Sequence, residues 1–209
     1  MAIFKINHIT KQFSEKFVLN DFSFEIAAGD KVNISGRSGI GKTTLFRLLL
    51  GFEKPDNGEI YFEKEPLTDA AMWQVRRSVA YVSQDLNIGR GPVRAFFDES
   101  LSLKANHIHK SASGQNIPEL LDYFELPDGI LNKNIEELSG GEKQRIAIIN
   151  ALLLKRRVFF LDEVTSALDK SLKKKVLDYF LLNPDFTVLY ISHDNYLPLG
   201  VELKTLKLD

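Results

Sequence analysis

Short apolar runs alternate with amphipathic segments along this chain, and the pattern predicts most of its secondary structure. Alternating apolar and polar positions predict strands over residues 3–10, 21–26 and 201–208, and a strand over residues 59–63 is predicted after the turn at Gly51, Pro55, Asn57 and Gly58. Short, largely apolar runs predict buried strands at residues 79–83, 158–161 and 187–191, and residues 31–35 are predicted as a strand that leads into a glycine-rich loop. Helical periodicity predicts helices at residues 44–50, 140–155 and 170–182. Because buried strands alternate with helices, we expect an α/β fold with a mainly parallel sheet.

The segment from about residue 91 to 135 departs from this alternation. It is mostly helical in pattern, with breaks at Gly114 and Pro118. We interpret it as an inserted helical subdomain.

Composition narrows the class of protein. A chain of 209 residues that is 44% hydrophobic suits one globular domain, with or without a subdomain. The net charge of −1 gives no overall basic field to attract nucleic acid, and the basic clusters at residues 155–157 and 173–175 are interpreted as solvated surface. The absence of cysteine excludes disulfides and cysteine–zinc sites. No apolar run approaches the ~20 residues that span a bilayer, so we expect a soluble cytoplasmic protein.

Residues 36–43 read Gly-Arg-Ser-Gly-Ile-Gly-Lys-Thr and fit G-x-x-x-x-G-K-[ST], a loop that cradles nucleotide phosphates. Glycines leave room for backbone N–H groups to turn toward phosphate oxygens. Lys42 can reach the β- and γ-phosphates, and the Thr43 hydroxyl can bind Mg²⁺. A glycine-rich turn that merely precedes a helix is the alternative. The predicted strand before the loop and helix after it favour a nucleoside triphosphate site.

Two acids, Asp162 and Glu163, end the apolar strand predicted at residues 158–161. Beside a phosphate loop, the first acid can hold Mg²⁺, usually through water. The second can orient or deprotonate an attacking water. The alternative is a solvated acidic turn, which the upstream phosphate loop disfavours.

Residues 138–142, Leu-Ser-Gly-Gly-Glu, open the long helix. Ser139 as N-cap and Glu142 three residues later predict a capping box. Capping does not explain Gly140 and Gly141, each of which costs a helix about 1 kcal/mol relative to alanine. Bare backbone suits the close approach of an anion, so we expect a capped helix end that is also a phosphate site.

These motifs, in this order, resemble those of the ATP-binding subunits of ABC (ATP-binding cassette) transporters, over nearly the whole chain. Residues 36–43 match the Walker A loop, and residues 158–163 match Walker B. The remaining matches are Gln84 with the Q-loop, residues 138–145 with the family signature, residues 166–169 with the D-loop, His193 with the switch histidine, and Phe13 with the aromatic residue that stacks on adenine.

The resemblance implies a role for each matched residue. Catalytic roles fall to Glu163 as general base, to His193 as a γ-phosphate contact that holds the base and water, and to Gln84. Thr43, Gln84 and Asp162 are implied as Mg²⁺ ligands. Contacts to ATP are implied for Phe13, Gly36, Ser38, Gly39, Gly41, Lys42, Thr43, Thr44, Ser139, Gly140, Gly141, Glu142 and Asp169, the last at a subunit interface. The alternative for Phe13 is an ordinary core or hairpin aromatic.

The resemblance also implies the architecture. It comprises a P-loop NTPase core with a mainly parallel sheet, an N-terminal antiparallel β subdomain and an inserted α-helical signature subdomain. The whole chain, residues 1–209, is then one domain, with the core and β subdomain in residues 1–84 and 156–209 and the helical subdomain in about 85–155. Two such subunits would sandwich two ATP molecules, with the signature of each capping the nucleotide of the other.

The function implied is an ATP-hydrolysing motor subunit. Its partners would be a transmembrane permease subunit and a second ATP-binding subunit, identical or not, with no nucleic acid. It would sit peripherally on the cytoplasmic face of the membrane, and residues 85–98 would contact the permease. A soluble ABC ATPase acting on the ribosome or DNA is the alternative; only 54 residues separate Gln84 from Ser139, too few for the coiled-coil arm common there. A catalytically dead regulator is a third possibility, which Glu163 and His193 disfavour.

Several positions depart from the common family pattern. Val164 stands where proline usually follows the catalytic glutamate, and Asn150 where arginine is common in the signature helix. Residues 155–157 replace the usual proline-containing lead into Walker B. None of these changes removes a catalytic group.

Overall fold

Nine strands and six α-helices form in the part of the chain that the structure, a computed structural model, describes: residues 2–104, 106, 117–192 and 196–208. The strands are β1 (Ala2–Phe13), β2 (Lys16–Ala27), β3 (Lys31–Ser35), β4 (Asn57–Phe62), β5 (Glu65–Pro66), β6 (Val79–Val82), β7 (Val158–Asp162), β8 (Thr187–Ile191) and β9 (Leu203–Lys207). The helices are α1 (Lys42–Leu49), α2 (Ala71–Ser78), α3 (Val93–Ser102), α4 (Ile117–Tyr123), α5 (Gly140–Leu153) and α6 (Lys170–Leu181). Two 3-10 turns, Asp128–Asn132 and Ile135–Glu137, lie between α4 and α5.

A five-stranded parallel sheet forms the middle layer, in the order β6-β7-β8-β3-β9. Every residue of β7 and β8 is buried, which is why these strands are continuous apolar runs rather than alternating ones. β9 pairs only with β3, as the predicted edge strand should. The expectation of an α/β fold with a mainly parallel sheet is confirmed.

The strand faces divide the interior into two apolar clusters. Phe159 and Leu161 of β7 pack into one cluster with helices α3 to α6, whereas Phe160 faces the other cluster with α1 and the N-terminal strands. The ring of Phe160 stacks on Phe46 of α1 at a centroid distance of 4.8 Å. Side chains alternate between the faces of a strand, so one short run supplies both cores.

A second, antiparallel sheet has the order β2-β1-β4-β5 and matches the N-terminal β subdomain expected from the resemblance. β1 and β2 extend to a tight hairpin, Phe13 opposite Lys16, well past the predicted ends. His8 and Asp21 take left-handed φ values of 49° and 50° at shifts in the strand register. These bulges interrupt the alternation, so the periodicity underestimated the strands.

The inserted segment is helical where the structure describes it, in α3, α4 and the two 3-10 turns. Gly114, one of the predicted breaks, lies outside the described residues. Pro118 is the second residue of α4, so it starts a helix rather than interrupting one. None of the helices in the described ranges is both long and apolar enough to cross a membrane.

The interpretation of residues 155–157 as solvated surface is wrong for Arg156. Its guanidinium donates hydrogen bonds to the carbonyl of Val79, at the start of β6, and to Oδ1 of Asn106, the latter at 2.6 Å. Burial lowers the pKa of Arg156 to about 10. This arginine therefore ties the end of α5 to the sheet and to the helical segment.

Candidate functional site

The predicted site residues meet at the carboxyl edge of the parallel sheet. β3 runs directly into residues 36–41, and α1 begins at Lys42. Asp162 is the last residue of β7, and Gln84 follows β6, the neighbouring strand. Because parallel strands end at the same edge, residues far apart in the sequence come together there.

Backbone conformation explains the glycines of the phosphate loop. Gly36, Gly39 and Gly41 have φ values of 149°, 74° and 119°, a region that side chains disfavour. A Cβ added at Gly41 would lie 2.0 Å from Cγ1 of Val18 in β2, and one at Gly36 would lie 2.6 Å from the carbonyl oxygen of Leu208. Around Gly39 the space is open to 4 Å. Two of the three glycines thus also serve packing, while Gly39 leaves the loop accessible.

Lys42 is held inside the loop. Its Nζ donates to the carbonyl oxygens of Gly36 at 2.9 Å and Arg37 at 3.1 Å, and only 7% of the residue is exposed. The ammonium charge is therefore fixed at the loop by the chain itself. Its location suits an anionic phosphate ligand.

A cluster of oxygen atoms lies beside the loop. The Thr43 hydroxyl donates to Oδ2 of Asp162 at 2.9 Å, and the Tyr81 hydroxyl donates to the same oxygen at 3.4 Å. Burial raises the pKa of Asp162, the neighbouring Glu163 charge raises it further, and the bonds from Thr43 and Tyr81 oppose the rise. Burial and the charge of Asp162 also raise the pKa of Tyr81, which keeps it a neutral donor. A carboxylate and a hydroxyl beside a phosphate loop fit Mg²⁺, which prefers oxygen ligands and substrate phosphates.

Glu163 adopts an unusual backbone conformation immediately after β7. Its φ is 50°, in the left-handed region, and its N–H donates to the carbonyl of Ile191 at the end of β8 at 3.1 Å. Gln84 Nε2 donates to Oε2 of Glu163 at 3.0 Å. The sharp turn directs the Glu163 carboxylate toward Gln84 instead of along the line of β7.

The capping box at the start of α5 is present as predicted. Glu142 N–H donates to the Ser139 hydroxyl at 3.3 Å, and the Ser139 N–H donates to Oε2 of Glu142 at 2.8 Å. A Cβ at Gly141 would lie 3.1 Å from the carbonyl oxygen of Ala167. Close packing against residues 166–169 therefore accounts for Gly141, in addition to the anion contact expected from the sequence.

The comparisons with known proteins agree with this geometry. Residues 19–166 match the family model described as ABC transporter. The probable iron export ATP-binding protein FetA of Escherichia coli (strain K12) is 34% identical over 180 residues, 85% of this chain and 78% of FetA. The sulfate/thiosulfate import ATP-binding protein CysA of Pectobacterium atrosepticum is 35% identical over 199 residues, 91% of this chain but 58% of CysA. The chain thus spans little more than half the length of CysA.

Solved structures show the same likeness. A bacterial ABC transporter cassette solved as a dimer superposes with a TM-score of 0.78 at 26% identity, over 98% of this chain and 94% of that one. The same cassette, solved as a dimer in a post-hydrolysis state bound to ADP and Pi, gives a TM-score of 0.74, over 91% and 88% of the two chains. This chain belongs to the ABC transporter family. It is an ATP-binding subunit and an ATPase, as the resemblance implied.

Within the cassette, the signature residues stand apart from the phosphate loop of the same chain. Ser139 and Gly140 are exposed at the start of α5. Among the described residues, no hydrogen bond joins residues 139–142 to residues 36–44. The structure of one chain therefore does not bring these two halves of the predicted ATP site together.

The other residues predicted to contact ATP differ in their exposure and in their contacts. Phe13 ends β1 and is 45% exposed, with Lys11 Nζ 5.2 Å from its ring centroid, so the core alternative for this aromatic is wrong. Asp169 is the N-cap of α6 and accepts from the N–H groups of Ser171 and Leu172 at 2.8 and 3.0 Å. Ser38 is exposed, Thr44 is half-buried in α1, and His193 lies outside the described residues.

Two polar residues of the cassette site lie in predicted segments, but the sequence assigns them no role. Tyr81 belongs to the predicted strand at residues 79–83, and its hydroxyl contacts Asp162. Gln144, 1% exposed, bonds to the backbone of Glu163 and Ala167. For Tyr81 the available signal was a polar hydroxyl within an otherwise apolar strand, and for Gln144 it was the position within the signature match at residues 138–145.

Proposed function

We propose that this chain is the ATP-hydrolysing motor subunit of a transporter. ATP binding closes a head-to-tail dimer of two cassettes, hydrolysis reopens it, and the cycle drives transport through a separate transmembrane permease. One observation carries the proposal. Lys42, Thr43, Asp162 and Glu163 converge at one sheet edge, whereas Ser139 and Gly140 at the start of α5 are exposed and, among the described residues, make no hydrogen bond to the phosphate loop.

The binding half of the site acts on the triphosphate. Lys42 supplies positive charge to the β- and γ-phosphates, and the open backbone at Gly39 admits them. Thr43 and Asp162, already 2.9 Å apart, would hold Mg²⁺ together with Gln84. When bound, Mg²⁺ neutralises charge that develops on the phosphate oxygens.

The catalytic half acts on water. Glu163 would take the proton of the attacking water as general base, with Gln84 bonded to its Oε2 and His193 contacting the γ-phosphate. The left-handed turn at Glu163 costs about 1 kcal/mol or more and is held by the bond to Ile191. Backbone strain retained at Glu163 fits a residue whose side chain must point toward the attacking water.

The capping half comes from a second subunit. Ser139 and Gly141 would face the γ-phosphate bound to the partner's loop, and Asp169 would lie at the same interface. Phe13 is exposed at the tip of the β1–β2 hairpin and would stack on adenine. The same hairpin contacts the phosphate loop through Val18, which packs against Gly41. A nucleotide that bridges two subunits favours the closed dimer by its differential affinity for that state.

The membrane association would come through the permease, which places the chain peripherally on the cytoplasmic face. FetA is named for export and CysA for import. We therefore assign both the substrate and the direction of transport to the permease. These relatives are named as transport subunits, which favours a transporter over the ribosome- or DNA-acting alternative. Recovery of the chain from gently solubilised membranes without an integral membrane protein would contradict this assignment.

The sharpest chemical test is Glu163→Gln. It should retain ATP binding, lower turnover at least about 100-fold, and trap an ATP-dependent dimer, measured by phosphate release and size-exclusion chromatography. The matched control is Glu119→Gln, an exposed position of α4, which should behave as wild type. Wild-type turnover in Glu163→Gln would show that Glu163 is not the general base.

A further inference from the structure

Gln144, on the second turn of α5, has a buried side-chain amide that joins three segments. Its Nε2 donates to the carbonyl oxygen of Glu163 at 3.2 Å and approaches the Ser166 hydroxyl at 3.5 Å. Its Oε1 accepts from the N–H of Ala167 at 3.1 Å. The amide thus bonds the signature helix to both the general-base turn and the D-loop.

The bonded atoms belong to the strained turn itself. The Glu163 carbonyl also accepts from Ser166 N–H at 3.1 Å, and the Glu163 N–H is fixed by Ile191. Gln144 is therefore one of the groups that fix the peptide units on either side of the left-handed residue. A rotation of either peptide unit would redirect the Glu163 side chain.

The same helix carries the signature residues at its exposed end. Ser139 is five positions before Gln144, about 7–8 Å along a rigid helix at the usual rise. The close approach of Gly141 to the Ala167 carbonyl, 3.1 Å for an added Cβ, gives a second contact between this helix end and the D-loop. A displacement of the helix end would therefore reach the Glu163 turn through hydrogen bonds and tight packing.

We propose that Gln144 is a positioning residue that makes the orientation of Glu163 depend on the position of the signature end of its own chain. This inference rests on the proposed function, in which that end caps the ATP of the partner subunit. The base at one ATP then becomes correctly oriented when the same chain has closed over the other ATP. Such a link couples the two sites, and the coupling is reciprocal for binding.

Mixed dimers of two differently tagged full-length copies separate this role from a general defect. In the first arm, one copy carries Glu163→Gln and the other Gln144→Met, so the only active base lies in the chain that lacks the amide. In the second arm, one copy carries both substitutions and the other is wild type, so the active base keeps its own Gln144. Methionine matches the length of glutamine without its polar atoms.

We expect kcat in the first arm to fall about 10-fold with little change in KM, as for loss of one to two hydrogen bonds that orient the base. The second arm should match a dimer of Glu163→Gln with wild type. Equal loss in both arms, or loss in neither, would overturn the proposal. Failure of the Glu163→Gln copy to abolish its own site would instead contradict the proposed function.

A readout independent of dimerisation and turnover is hydrogen exchange at the Ala167 amide. In Gln144→Met this amide loses its acceptor and should exchange about 10-fold faster or more, beyond any change at amides of the buried strand β8, which report the global stability of the fold. Gln74→Met, an exposed position of α2, is the matched control and should leave Ala167 unaffected. If Gln144→Met does not fold, Gln144→Asn keeps a neutral amide but shortens its reach to Glu163 and Ala167 by one methylene, and it should lower kcat and speed exchange of the Ala167 amide. Unchanged exchange in Gln144→Met, or unchanged kcat in Gln144→Asn, would refute the link.

Discussion

Substitution of Gly41 by alanine tests how the N-terminal hairpin supports the phosphate loop. Gly41 is the N-cap of α1, with φ 119° and ψ 14°. An added Cβ would lie 2.0 Å from Cγ1 of Val18 and 3.4 Å from the Val18 carbonyl oxygen. Alanine therefore meets two penalties, one from the backbone and one from the contact with β2.

The size of each penalty follows from the geometry. A residue with a Cβ in the left-handed region costs roughly 1–2 kcal/mol. Forcing a methyl group into a filled contact costs about 1–3 kcal/mol more. Gly41→Ala should thus lower the free energy of unfolding by about 2–5 kcal/mol, a large part of the ~5–15 kcal/mol of a typical domain. Gly39→Ala, with φ 74° and no neighbour within 4 Å, should cost only the backbone part.

Urea denaturation of four proteins measures the contact: wild type, Gly41→Ala, Val18→Ala and the double variant. Removing the Val18 methyl groups should relieve the clash, giving a coupling of roughly 1–3 kcal/mol in the double-mutant cycle. Gly39→Ala paired with Val18→Ala should show none. The reasoning is refuted if Gly41→Ala is no more destabilising than Gly39→Ala, or if the coupling is within about 0.5 kcal/mol of zero.

Three further outcomes are expected. Lys42→Ala removes the charge held by the carbonyls of Gly36 and Arg37 and should weaken ATP binding roughly 10- to 100-fold in a fluorescent-nucleotide titration. The control Lys5→Ala, at an exposed position of β1, should leave ATP binding unchanged. Asp169→Ala should cost about 1 kcal/mol of unfolding free energy through loss of the α6 cap, while Asp169→Asn should retain it; equal loss in both would exclude capping as the cause. Bonds from Ser139 lower the pKa of Glu142, so its carboxylate stabilises the fold above its ordinary value of 4.5 and this contribution disappears as the pH falls through the lowered pKa. Glu142→Gln should therefore flatten the acid limb of melting temperature against pH.

Contiguous motifs at strand ends were the most predictable part of the site. The phosphate loop and the acids Asp162 and Glu163 each follow a short apolar strand, and parallel strands bring such ends to one edge. The sequence predicted that Thr43 and Asp162 belong to the same Mg²⁺ site. It could not predict the direct hydrogen bond between their side chains. Contacts from segments without a linear motif, such as Val18 of β2 against Gly41, could not be predicted from the sequence.

Helix α2 was not predicted, because too few of its residues are buried to give a helical pattern of apolar positions. In α2 only Met72 and Val75 are buried, and Trp73 is 65% exposed, so the helix has no apolar stripe long enough to recognise. The hydrogen bonds of Gln144 could not be predicted for a different reason. Its partners lie 19 and 23 residues away in an irregular turn, and nothing in the residue type indicates them.

The order of strands in the parallel sheet determines when the nucleotide site can assemble during synthesis. β3, which carries the phosphate loop, pairs only with β8 and β9, and β8 separates it from β7. The loop therefore leaves the ribosome long before either of its neighbouring strands has been made. A nascent chain that ends before residue 187 contains both Thr43 and Asp162, 119 residues apart, yet has no strand to hold them side by side. Because β8 must be present before the two halves of the site can meet, ATP can stabilise this fold only after almost all of these residues have been translated. Long-range parallel pairing of this kind is also slow to form.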